Sequence, residues 1–274
     1  MLIDSYYLVS HYSHLILFIC AFWGIGQYIL GKVFTITIDD QMIGAVLAIT
    51  LGQGIFIVIL QCLAVVGLLK YYWLFGFLLA GAFLSICQWR NFVQSPLANI
   101  NLAWQGLSNA QLLALVFLFI FALPTLLEPL RPPWPGDELH YHLPHVQQWA
   151  LSGKLTVNEW LRYPWFPYNY NLLYASAFVV YGDVFSHMFN ALAGCLVAIL
   201  IYRLGTRHFN QAVACVATFI WFQLRWNNTP ECRAIALRKR LNLPEVKLSA
   251  SRAWRTANAA HFSELCPWHC GAVP

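Results

Sequence analysis

The 274-residue chain is 59% hydrophobic and 10% charged, against about 25% charged residues in an ordinary soluble domain. That balance excludes a soluble enzyme or a free-standing soluble binding module. The formal net charge of +5 does not point to a nucleic-acid partner, because half of the 16 Lys and Arg residues lie after Leu224 and the excess belongs to the tail.

A membrane-spanning helix needs about 20 mostly apolar residues. In chain order, residues 13–31, 42–69 and 71–89 approach or meet that length without a formal charge. Residues 111–127 are almost purely Leu, Phe, Ala and Val, and residues 184–202 carry only His187 as a titratable group near their start. A sixth run, Gln211–Leu224, is apolar but short. No Lys or Arg precedes the first run, so it lacks the basic start of a signal peptide and reads as a retained helix. Gly24, Gly26, Gly52, Gly54, Gly76 and Gly81 fall inside these runs, which is compatible with close packing of membrane helices. Cys20, Cys62, Cys87, Cys195 and Cys215 also lie in apolar runs and read as small hydrophobes. Cys266 and Cys270 match no common zinc spacing.

Short loops set orientation through their Lys and Arg content. Placing Lys32, Arg90, Arg203 and Arg207 in the cytoplasm leaves Lys70 as the exception, and puts the N-terminus and residues 128–170 outside. That outer segment holds seven of the 13 prolines and four of the 12 tryptophans. Trp134, Trp149, Trp160 and Trp165 suit the headgroup level. Residues 169–181 are apolar but too short to cross, and read as an interfacial helix. From Arg225 onward there is no long apolar run, and eight basic residues stand against three acidic ones. The expected architecture is all-α: a polytopic transmembrane helix bundle of five or six membrane helices, with a long outer loop forming interfacial helices. Its parts are residues 1–127, the outer loop 128–182, further membrane helices 183–224, and a basic tail 225–274 that departs from the pattern.

Chemistry concentrates in the outer loop, at Asp137-Glu138-Leu139-His140-Tyr141-His142-Leu143-Pro144-His145 and the following Trp149-Ala150-Leu151-Ser152-Gly153-Lys154. One reading is structural, with Asp137 capping a surface helix. The other is catalytic: a carboxylate at the water–lipid boundary takes a proton from an acceptor hydroxyl, and partial desolvation makes it a stronger base. On a regular helix Glu138, His142 and His145 share a face, and Asp137 and Tyr141 share the adjoining one. A His and carboxylate cluster is compatible with a divalent metal. Pro144 disturbs the helical register, however, and contacts to a sugar or headgroup fit the cluster better. His187 reads as a helix-end residue near the same cavity.

The order Asp137-Glu138, Tyr141, Trp149 to Lys154, Tyr163-Pro164, Pro167, Asn171 to Tyr174, Tyr181-Gly182-Asp183 and Tyr202-Arg203-Leu204-Gly205 resembles the first outer loop and following helix of the GT-C glycosyltransferases. The protein O-mannosyltransferases and the lipid A aminoarabinose transferases belong to that group. The likeness covers roughly residues 132–224. It implies transfer of a sugar from a polyprenyl-phosphate donor to an acceptor hydroxyl or amine at the outer face of the membrane, with inversion at the anomeric carbon. By resemblance Asp137 is the catalytic base or acceptor ligand and Glu138 its neighbour. Tyr141, His142, His145, Lys154, Arg162 and Asn171 are candidate substrate contacts. The partners implied are the lipid bilayer and the lipid-linked donor, in a bacterial plasma membrane. Two features depart from the family: four spans precede the acidic loop, and the helices expected after Leu224 are absent, as in a truncated or frameshifted product. A transporter subunit and a non-catalytic membrane assembly protein are the competing readings. Transporters place ionisable groups within their spans, and these spans hold almost none.

Overall fold

The computed structural model describes residues 5–35, 38, 40–93, 109–131, 138–161 and 169–227. The chain divides into two compact units, Met1–Pro230 and Glu231–Pro274, and every described residue lies in the first. The tail's departure from the pattern therefore falls outside the described residues.

Among the described residues the protein is all-helical, and five helices are long and apolar enough to cross a membrane. It is an integral, multi-pass membrane protein. The helices are α1 (Ser5–Lys32), α2 (Gln41–Val65), α3 (Tyr71–Val93), α4 (Asn109–Leu127), α5 (Leu143–Ser152), α6 (Asn169–Tyr181), α7 (Ser186–His208) and α8 (Gln211–Asn227). The candidate spans are α1, α2, α7, residues Tyr71–Trp89 of α3, and Leu112–Leu130, which covers most of α4 and the turn after it. The short apolar α8 packs against α7 and α4.

Boundaries follow local chemistry. Asp40 caps α2, its Oδ1 accepting from the backbone N–H groups of Met42 and Ile43 at 3.0 and 3.1 Å, two of the donors a helix start leaves open. The far end of α2 closes at Gly67, whose φ of +79° is costly for any residue with a Cβ. Leu68 N–H then bonds the Leu63 carbonyl at 2.8 Å, completing a Schellman ending. Consequently α2 stops short of the end of its apolar run. Helix α1 instead begins eight residues before its run, because Tyr7, Ser10, His11 and Tyr12 are polar in sequence yet find tertiary partners.

The core is aromatic where α1, α2 and α7 meet. Phe18, Phe22, Phe56, Phe185 and Phe189 are fully buried, with ring centroids 5.0 Å apart for Phe18–Phe189 and 5.4 Å for Phe22–Phe56. Such tilted and edge-on pairs add to the gain from burial. Beyond this cluster α1 approaches its neighbours to backbone contact. A methyl group on Gly26 would lie 1.8 Å from the Ala48 carbonyl oxygen, and one on Gly52 would lie 1.8 Å from that of Phe22. Gly24 and Gly81 play the same part between α1 and α3. With no hydrophobic drive between helices inside lipid, close approach supplies the attraction.

The hydrogen bonds and turns sort the helix ends onto two faces. The start of α1, the α2–α3 turn, the end of α4 and the whole of α5 share one face: Tyr7 donates to the Leu130 carbonyl at 3.4 Å, Tyr12 to that of Leu126, and Leu155 N–H to that of Ala64 at 2.9 Å. On the opposite face the Arg203 guanidinium holds Asp40 at 2.6 Å, and Lys32 and Arg207 lie in the last turns of α1 and α7. Burial raises the Asp40 pKa, but hydrogen bonds from Arg203, Ile43 and Met42 and the guanidinium charge outweigh it, holding the carboxyl below its ordinary value.

Candidate functional site

The loop between α4 and α7 folds as two short helices. Glu138–His142 forms a π turn that runs into α5, with Pro144 in the first turn of that helix. Proline has no N–H and its ring crowds the carbonyl four residues back, that of His140. The wider turn accommodates this, and π turns recur at functional sites. The π turn also changes the register on which the shared face of Glu138, His142 and His145 depended. His145 is 1% exposed and packs its ring 5.9 Å from that of Trp149. His142 is half-buried and turns to α6, its Nδ1 lying 3.1 Å from Asn171 Oδ1. An amide oxygen only accepts, so Nδ1 is the donor in this contact. The Tyr141 ring lies 4.3 Å from that of His142.

Asn171 is 3% exposed, and its amide nitrogen is buried without a hydrogen-bond partner among the described residues. The Gln148 carbonyl oxygen is buried in the same condition, while its amide nitrogen donates to Thr156 at 3.0 Å. Buried polar atoms left unpaired are costly, and native structures hold few of them.

Helix α6 is sunk into the bundle. Asn171, Leu172, Leu173, Ala175, Ser176 and Ala177 are all buried, so both polar and apolar faces are covered by α2, α5 and α7. Tyr170 at its start accepts from the Gln53 amide at 3.1 Å and donates to the Phe189 carbonyl at 3.2 Å. Gln53 stands 12 residues, about 18 Å, from the near end of α2. Tyr174 donates to Asn190 at 2.5 Å. Two polar contacts therefore meet α6 on different sides, His142 at Asn171 and Gln53 at Tyr170.

Of the residues singled out in the sequence, the structure brings together Tyr141, His142 and Asn171. Asp137 and Arg162 lie outside the described residues, as does the Glu138 side chain, although its backbone opens the π turn. His187 is the second residue of α7 and is half-buried. Lys154 lies apart, beyond the far end of α5, roughly 15 Å of helix from His142. Its stem covers Gly67, whose added Cβ would be 2.9 Å from Lys154 Cε. Trp149 faces the protein interior and not a lipid surface. It is 4% exposed and its Nε1 donates to the Thr156 carbonyl at 2.8 Å, because α5 turns its indole inward to fasten the 153–156 segment. Trp160 is 95% exposed. Sequence reasoning missed Gln53, Tyr170, Gln148 and Asn190. Gln53 offered one signal, as the central polar residue of a long uncharged apolar run. Among the described residues no group of three or more His, Cys, Asp or Glu is placed to hold a metal ion, and that set excludes Asp137.

Fold and site define a polytopic α-helical membrane protein with a two-helix loop whose second helix makes buried polar contacts. No family model matches the chain, and no solved structure matches it. An uncharacterized protein of Shigella flexneri is 34% identical over 84 residues, 30% of this chain. The match spans 42% of that relative's length.

Proposed function

We propose that the chain is part of a membrane glycosyltransferase of the GT-C kind, moving a sugar from a polyprenyl-phosphate donor to an acceptor hydroxyl or amine. Its loop and N-terminus then face the non-cytoplasmic side of a bacterial plasma membrane. One observation carries the reading: from Glu138 the chain forms a π turn that hands His142 to a buried amide, Asn171, on a second loop helix. Group transfer needs a base held in place and polar groups that grip the acceptor. In this reading Asp137 takes the acceptor proton as the oxygen or nitrogen attacks the anomeric carbon and the lipid phosphate departs. Asn171, with His142 oriented against it, grips the sugar or acceptor. The orientation rests on Lys32, Arg203 and Arg207 lying on the face opposite the loop, as the positive-inside bias favours. The charge pattern also favours an enzyme over a transporter, because the polar group that meets α6 from within a span, Gln53, is a neutral amide.

The test is transfer of labelled sugar from a polyprenyl-phosphate donor in membranes holding the protein, compared with Asp137→Asn. The reading expects transfer to fall by at least about a hundredfold, in the range for loss of a general base, with insertion unchanged. Equal transfer by both proteins removes Asp137 from the role.

A further inference from the structure

The α2–α3 turn and the end of α5 meet through glycines. Leu69 N–H donates to the Gly153 carbonyl at 3.1 Å, and Gly153 itself is left-handed, with φ of +69°. This contact brings two lysines onto one small surface. The Lys154 stem lies over Gly67, and a Cβ on Gly153 would lie 3.7 Å from Lys70 Cγ. Each lysine is thus folded against the other's turn. Both are exposed, and neither has a carboxylate partner among the described residues. Two lysines whose stems rest on adjoining turns, with no carboxylate partner among the described residues, favour an anion at this surface.

The surroundings say which anion. Val65, Val66, Leu68, Leu151 and Leu155 are exposed around the lysines, and their apolar surface continues the lipid-facing side of α2 and α3. Tyr72 is 85% exposed in the first turn of α3, and Trp160 stands out fully beyond Leu155. Aromatic rings at a span's end mark the headgroup level, and lysines on apolar stems reach up to it. We propose that Lys70 and Lys154 form a two-lysine clasp for the headgroup phosphate of an anionic phospholipid, seated at the edge of the bundle. This gives Lys70, the exception to the charge bias, a function of its own. The clasp is independent of any sugar transfer.

The full chain reconstituted in phosphatidylcholine vesicles containing a trace of headgroup-photoactivatable phosphatidylglycerol tests this. Crosslinks are expected at residues 65–73 and 151–160. Lys70→Gln and Lys154→Gln should each lower them about fivefold, as loss of one basic residue at an anionic surface implies. Arginine at both positions should preserve them, which separates charge from folding. Crosslinks near Lys32 and Arg207 serve as the reference in every variant. Excess inorganic phosphate should leave the labelling unchanged. Equal labelling by photoactivatable phosphatidylcholine, no loss in the double glutamine variant, or competition by free phosphate would each overturn the proposal.

Discussion

The two halves of α1 are held by opposite chemistries. From Cys20 to Gly26 it touches α2 and α3 backbone to backbone, with glycines where side chains would collide. From Tyr7 to His14 it is fastened by hydroxyls and imidazoles: Tyr7 and Tyr12 reach carbonyls at the end of α4, and Ser10 meets Tyr181. The His11 ring lies 4.0 Å from that of Tyr7 and 4.5 Å from that of Tyr181. The glycine half is a scaffold dominated by close approach, to which Ser85 and Gln88 add hydrogen bonds on the Cys20 and Gly24 carbonyls. The other is a polar region joined to the loop, where individual hydrogen bonds decide. Substitutions should therefore act through volume in one region and through pairing in the other.

The largest effect is expected at Gly52. Valine there meets the Phe22 backbone, which cannot give way as a side chain would. Overpacking of this kind costs about 1–3 kcal/mol, read as a lower unfolding temperature in detergent. Gly54→Val, with open space around it, should leave that temperature nearly unchanged. Equal loss at both glycines would break the distinction between the regions.

In the polar region Asn171→Ala removes the oxygen that orients His142, at a cost of about 1–3 kcal/mol if the imidazole is left buried without a replacement. Protease sensitivity of the loop should rise while the α1–α2 packing, followed by a crosslink between those helices, stays intact. Gln53→Leu is expected to cost about 1 kcal/mol, by freeing one side of the Tyr170 hydroxyl.

The smallest effect belongs to Asp40 and Arg203, whose guanidinium is a third exposed. Exposed pairs contribute about 0–1 kcal/mol. The Asp40 pKa is lowered in the folded protein, so its contribution is present above the unfolded value and is lost as pH falls through the folded one. Asp40→Asn should flatten that acid limb of the stability profile, removing the small contribution at neutral pH and altering little below the folded value.

The spans were legible because a long run without charge in a chain this apolar has few other uses. The breaks at Asp40 and Gly67 needed tertiary detail to place, and α1's polar beginning was hidden because its partners lie more than 100 residues away. The loop helices were legible as elements, since 169–181 is apolar and bounded by prolines and a Gly-Asp turn. Their depth was not: nothing local says that Tyr170 reaches Gln53. His142 and Asn171 were each visible as polar residues in a suggestive order, but their pairing depends on a π turn that regular helical spacing does not anticipate. The inward turn of Trp149 was hidden in the same way, its indole held by the Thr156 carbonyl seven residues on.

Everything functional rests on the side of the membrane that α5 and α6 occupy. The most direct measurement is labelling of intact cells with a membrane-impermeant maleimide, comparing Ser152→Cys and Lys32→Cys with the unsubstituted chain. Labelling of Cys at 152 alone is the predicted result. Labelling at 32, with 152 reached only after the cells are opened, would contradict it.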